Sequence, residues 1–412
     1  MSGDIDSFVA KKIIQQIGSS GTPPDYGVEL FTAGIGSYLN VLEEEYFSSY
    51  LKSGGASFKM VIGVYGGGKT HFLFCVRNLA WKHNFVVSYV SLSPGQSPFH
   101  HLELVYRAIA RGIMPPLSPS ELLSGYEVGF PSFLRTWYAQ KYREITSGSN
   151  LSDNDIEKLL ASVSESVAGI ESISFQNAIK HAYHALLDHD DEKFNKMCQW
   201  LYGEGYSSNI YSKYGIFQKI DKTTAFQMLR SLSQFVRGIG YSGIVILLDE
   251  AERVPSLSTK QKDQHLSNLR ELIDECGHAR FQGAMIFYAV PDESILEGHT
   301  QIYEALRQRV ATIFNTLNPT GVRIDLEKVD YDDPIELMCE IGEKLRYVYQ
   351  AAYNVQFDTE NAKKTISEIA KASYEHRYGD VGYKRLFVQK LIEGFHYLKQ
   401  NSTSPSAEVL GL

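Results

Sequence analysis

An α/β fold built on a buried parallel sheet is the class that this 412-residue sequence predicts. Three observations predict it. A glycine-rich turn joins a short apolar run to a helical pattern across residues 58–83, a second apolar run ends in two adjacent acids, and long helical stretches separate and follow them. Near-continuous apolar runs are what parallel strands covered on both faces require.

Residues 1–57 precede the first strand and read as a linker and helical segment, with a turn-rich "GTPP" ahead of "GVELFTAGIGSYLNVLEEEYFSSYL". The first strand is "FKMVIGV", Phe58 to Val64, and Thr70 to His83 reads as a helix. Between them Gly63, four residues, then Gly68, Lys69 and Thr70 match G-x-x-x-x-G-K-[ST], the Walker A phosphate loop. Successive N–H groups of such a loop converge on an anion, glycines let the main chain approach, and the helix N-terminus adds positive potential. The expected nucleotide-binding set is Gly63, Gly66, Gly67, Gly68, Lys69, Thr70 and His71. Lys69 would bridge the β- and γ-phosphates and serve catalysis, and Thr70 would hold Mg²⁺. A P-loop NTPase binding ATP follows.

"NFVVSYVSLS", Asn84 to Ser93, reads as the second strand. The interval Leu102 to Tyr241 is far longer than an ordinary crossover, and its apolar residues recur at helical spacing. It reads as a helical insertion at about 102–241, broken near "TSGSNLSDND". Within it "RTWYAQKYR", Arg135 to Arg143, has the composition of a base-stacking surface. The same composition suits an amphipathic helix with its aromatics in the core, and this is the commoner outcome.

"SGIVILLDEAERV", Ser242 to Val254, supplies the central strand and a Walker B ending. Asp249 would hold Mg²⁺ through water, and Glu250 would polarise a water molecule for attack on the γ-phosphate. "ARFQGAMIFYAVPDE", Ala279 to Glu293, is the next strand, with Tyr288 or Asp292 as candidate γ-phosphate sensors. This order is that of the additional-strand, catalytic-Glu (ASCE) ATPases. The nucleotide core therefore spans 58–326, and residues 327–412 read as a C-terminal helical lid.

The arrangement resembles the AAA+ ATPases, especially their origin-recognition and STAND-like branch. That resemblance implies an arginine in "YEALRQRVATIF" reaching a neighbouring subunit's nucleotide, Arg309 first and Arg307 second, and hence a homo-oligomer. It also implies that the "GTPP" segment packs on the adenine ring and that Lys384 or Arg385 points back at the nucleotide.

Net charge is −8, so bulk attraction to DNA or to an anionic membrane is not indicated. No run approaches eighteen apolar residues, and the polar start "MSGDIDSFVAKKIIQQ" is unlike a signal peptide, which predicts a cytoplasmic protein. Cys75, Cys198, Cys276 and Cys339 lie far apart, without metal or disulfide spacing, and read as reduced thiols. Adjacent His100 and His101 would point apart on a helix, so a metal there is not expected.

"GVYGGGKTHFLFCVRNLA", "LYGEGY", "FVRGIGYSGIVILLDEAERV" and "YEALRQRV" together resemble the ATP-binding proteins associated with BREX phage-defence systems. The resemblance implies a prokaryotic ATPase that works with a DNA helicase or another defence partner. Two other readings are a nucleotide-dependent switch or scaffold with little hydrolysis, and a ring-forming DNA motor. A small-molecule kinase fits least, because Glu250 next to Asp249 suits activation of water.

Overall fold

The computed structural model describes residues 5–147, 151–249, 257–298, 301–328, 331, 333–377 and 382–412. Glu250 and the rest of "EAERV" lie outside the described residues. Among the described residues six strands form one sheet: β1 (Ala56–Ile62), β2 (Phe85–Ser91), β3 (Ile113–Met114), β4 (Gly243–Asp249), β5 (Ala284–Val290) and β6 (Arg323–Asp325). Their order is β3-β2-β4-β5-β1-β6. All neighbours are parallel except β3, which runs antiparallel to β2.

The helices before β4 are α1 (Ser7–Ser20), α2 (Gly36–Val41), α3 (Lys69–Lys82), α4 (Leu102–Arg111), α5 (Pro119–Ser124), α6 (Phe130–Thr146), α7 (Asp153–Glu165), α8 (Ile173–Leu187), α9 (Asp191–Leu201), α10 (Ser208–Tyr211) and α11 (Ala225–Gly238). After it come α12 (Thr259–Gly277), α13 (Gln301–Arg309), α14 (Pro334–Tyr353), α15 (Thr359–Glu375) and α16 (Tyr383–Asn401). Side chains that could bond their own backbone set several starts, as when Asp6 accepts from the Phe8 and Val9 amides at the head of α1.

The alternation of each strand sends its residues to two cores. Phe58, Met60, Ile246, Leu248, Ile286 and Tyr288 face a cluster supplied largely by the helices between β2 and β4, together with α12. Val61, Val245, Leu247, Met285 and Phe287 face the other cluster, where α3 meets residues of both chain ends. The 1–57 and 327–412 segments thus share one core, with α1 packed on α14 and α16. The 102–241 interval is not purely helical, because its β3 extends the sheet.

Within that interval the aromatic-basic stretch is an amphipathic helix. Trp137 is 1% exposed and packs on Tyr183 and Phe235, whereas Arg135 reaches outward to Asp191. All four cysteines are free, and three of them are buried.

Candidate functional site

The β1 run stops at the loop because its residues change from buried apolar to glycine. Gly66 and Gly68 adopt φ of 69° and 101°, left-handed values that a side chain would strain. Gly68 then caps α3, so Lys69, Thr70 and His71 begin the helix with amides that have no partner within it. Those amides, with the loop's own, are the donors that an anion takes.

Lys69 is 6% exposed, and its Nζ donates to the carbonyl of Gly63 at 2.8 Å and to that of Val64 at 3.2 Å. The ammonium is thereby held over the loop. Thr70 Oγ1 donates to Asp249 Oδ2 at 2.6 Å. Asp249, the last residue of β4, is 1% exposed, and the same oxygen accepts from the Tyr89 hydroxyl at 2.9 Å. A hydroxyl and a carboxylate side by side at the mouth of a phosphate loop are the oxygen donors that Mg²⁺ takes alongside phosphate and water. Among the described residues no group of three or more His, Cys, Asp or Glu side chains could hold a metal by itself.

A cavity opens above the loop. Its walls are Gly66 to Phe72 and Asp249 on one side, Ile17 and Gly21 to Pro23 on another, and Leu337, Ile341, Lys384, Arg385 and Val388 from the C-terminal helices. The "GTPP" turn therefore stands at the wall, beside apolar side chains that could receive a flat ring. His71 lines the cavity too, but its Nε2 lies 2.8 Å from Thr32 Oγ1 and its ring packs against Phe31. The Thr32 hydroxyl already donates to the Val28 carbonyl at 2.7 Å, so Nε2 is the donor in that pair. Burial pushes the imidazole down to about 4, and His71 braces the N-terminal segment on α3 as a neutral ring.

The start of α16 touches the loop directly. Lys384 Nζ donates to the carbonyls of Gly67 at 3.3 Å and Leu326 at 3.2 Å, and it lies 3.6 Å from Glu327 Oε1. Burial pushes this ammonium below the usual lysine range, and the Glu327 carboxylate opposes that shift. Gly382, at φ 76°, abuts the Tyr65 carbonyl so closely that any side chain there would collide with it. Arg385 donates to the Tyr65 hydroxyl at 2.8 Å.

Other expected residues lie elsewhere. Tyr288 is fully buried and bonds His265 at 2.8 Å inside the core, away from the loop, because its place in β5 turns it toward α12. Asp292 caps a turn at Ser294. Arg309 is clamped to Asp274 through Nε at 2.6 Å and Nη2 at 3.0 Å, and Arg307 is exposed with one bond to the Gly298 carbonyl. Neither arginine lines the cavity of its own chain. Sequence reasoning missed Tyr89, Glu327 and Gly382. Alternation along β2 could have put Tyr89 near the acidic strand, but nothing local marks the other two.

A family model described as BREX system ATP-binding protein BrxC/D matches residues 5–412. No curated protein and no solved structure matches the chain.

Proposed function

We propose, from the premise that this chain belongs to the family of BREX system ATP-binding proteins BrxC/D, that its ATP-binding role in anti-phage defence is exercised as an AAA+-like ATPase. The observation that carries this reading is the meeting of Thr70 with Asp249 beside Lys69 at one cavity. The position of β5 between β1 and β4 supports the additional-strand class, in which the acidic strand is not the neighbour of the loop strand.

In this reading the loop amides and Lys69 bind and orient the phosphates. Thr70 and Asp249 would hold Mg²⁺, and the ion when bound would supply positive charge against the phosphate oxygens. Tyr89 fixes the Asp249 carboxylate, and Glu250 takes the proton of the attacking water. The C-terminal helices act as a lid, with Lys384 and Arg385 reporting the state of the loop. An arginine from a second copy completes the site, and among the described residues Arg307 has no ion-pair partner in its own chain, whereas Arg309 would first leave Asp274.

Coupling to a DNA-processing or other defence partner follows from movement of the lid. Among the described residues no helix is long and apolar enough to cross a membrane. The test is steady-state ATP hydrolysis over a range of protein concentrations, with and without single-stranded and duplex DNA. Specific activity that climbs with concentration supports completion between copies. Flat, negligible turnover with tight ATP binding overturns the hydrolytic reading in favour of a nucleotide-dependent switch.

A further inference from the structure

Glu327 stands two residues past the end of β6, where the edge of the sheet meets the phosphate loop. Its amide donates to Asp325 Oδ1 at 3.0 Å, which fixes the turn that presents its side chain. The carboxylate then reaches two successive residues in the first turn of α16. Tyr383 Oη donates to Oε2 at 3.1 Å, and Lys384 Nζ lies 3.6 Å from Oε1. The same Oε1 abuts the loop, because a Cβ added at Gly67 would stand 2.8 Å from it. An acid is thereby set against a turn whose amides attract anions.

Lys384 joins this acid to the nucleotide site. It lines the cavity above the loop, whereas Glu327 does not. Its three oxygen partners are the Leu326 carbonyl at 3.2 Å, the Gly67 carbonyl at 3.3 Å and Glu327 Oε1 at 3.6 Å. An ammonium meets a carboxylate best at about 2.7–2.9 Å, so all three are long. Lys69 differs, with the Gly63 carbonyl at 2.8 Å. The Lys384 side chain is 13% exposed, and a cation so shielded from water gains more from a close anion than an open one does. Its flexible stem lets the head swing while the helix backbone stays in place. The other acid nearby, Asp325, is engaged by the Glu327 amide and by Lys328, which leaves Glu327 as the carboxylate paired with Lys384.

We infer that Glu327 is the counterion that Lys384 exchanges for a phosphate of the nucleotide, so that this carboxylate and ATP compete for one ammonium. The inference rests on the proposed ATP site and adds the group that sets its affinity. Glu327 is a positioning residue, since it acts through Lys384. When phosphate captures the lysine, Glu327 keeps Tyr383 and loses Lys384, and the hold of the sheet edge on α16 weakens by one contact. Occupancy of the loop is in this way felt where the C-terminal helices meet the sheet.

The test is a double-mutant cycle read by titration calorimetry with ATP on the full chain. Glu327→Gln keeps the volume and an oxygen for Tyr383 while dropping the charge, and it is expected to bind ATP about two- to fivefold more tightly than the wild type. Lys384→Met binds more weakly, and adding Glu327→Gln to Lys384→Met changes nothing further. Glu327→Asp keeps the charge but withdraws it by one methylene, so it shifts affinity in the same direction by less, and it carries the test if the glutamine variant does not fold. A merely structural role for Glu327 predicts weaker ATP binding in Glu327→Gln, and direct repulsion of phosphate predicts the same tightening with and without Lys384. Either result, or an unchanged affinity in Glu327→Gln, overturns the inference and leaves the ATP site standing. A wild type that binds no ATP overturns the nucleotide reading itself, and the inference with it.

Discussion

The Thr70 hydroxyl donates to Asp249 across 2.6 Å of space and 179 residues of sequence. That bond joins the helix start after the loop to the end of the acidic strand, and Tyr89 shares the same carboxylate oxygen. Asp249→Ala takes a hydrogen-bond acceptor from both hydroxyls. It would also remove the negative donor proposed for Mg²⁺. The variant is expected to bind ATP in Mg²⁺ about as weakly as the wild type does in EDTA, by titration calorimetry, and an unchanged Mg²⁺ dependence would rule Asp249 out as a metal donor.

Glu250→Gln removes the proposed general base and keeps nearly the same volume. Turnover should fall by about 10²-fold or more while ATP affinity stays within a few-fold. Hydrolysis at the wild-type rate would remove Glu250 from the mechanism.

Contact of α16 with the loop predicts that lid and nucleotide affect one another. Gly382→Ala has nowhere to put its methyl group beside Tyr65, and left-handed φ adds strain. Lys384→Met keeps most of the buried stem but drops the bonds to Gly67 and Leu326. Both variants should lose thermal stability, and the stabilisation that ATP gives the wild type should shrink with them. A Lys384→Met variant whose melting temperature rises with ATP as much as the wild type's would break the proposed link.

The parts of the site that were legible in sequence are those whose chemistry is local. Glycines that admit the loop, the lysine and threonine after them, and an apolar run ending in acids each state their geometry within a few residues. Gly382 and Glu327 were not legible, because Gly382 is constrained by the Tyr65 carbonyl 317 positions earlier, and Glu327 by Lys384, 57 positions later. Tyr288 illustrates the converse error. A polar side chain near a strand end looks like a sensor, but the two-residue period turns it into the core, where His265 satisfies it. Arg309 likewise reads as a reaching arginine until its bidentate partner Asp274, on α12, is in view. The helical composition of the insertion was plain, but β3 is too short to carry a pattern.

Lys59 gives the prediction with the clearest sign. Burial pushes its ammonium down to about 7, whereas an unfolded lysine holds its proton to about 10.4. Between those values the unfolded chain binds more protons than the folded one, so this residue makes stability rise with pH, by up to about 1.4 kcal/mol per unit. Below 7 both states are protonated and the slope vanishes. Lys59→Met deletes the titration while filling most of the volume, although it takes the lysine donor from the Gly321 carbonyl, whereas Pro319 keeps the bond from the Tyr46 hydroxyl. Tyrosines that ionise nearer pH 10 affect both proteins alike when the comparison stops at pH 9. The difference in unfolding free energy between wild type and Lys59→Met, measured in denaturant from pH 6 to 9, should therefore be flat to about 7 and then grow in favour of the wild type. A difference that stays constant across the range would mean that the Tyr46, Gly321 and Pro319 oxygens and the Tyr46 and Phe314 rings around Nζ hold the proton as firmly as water does, and Lys59 would be a permanent cation.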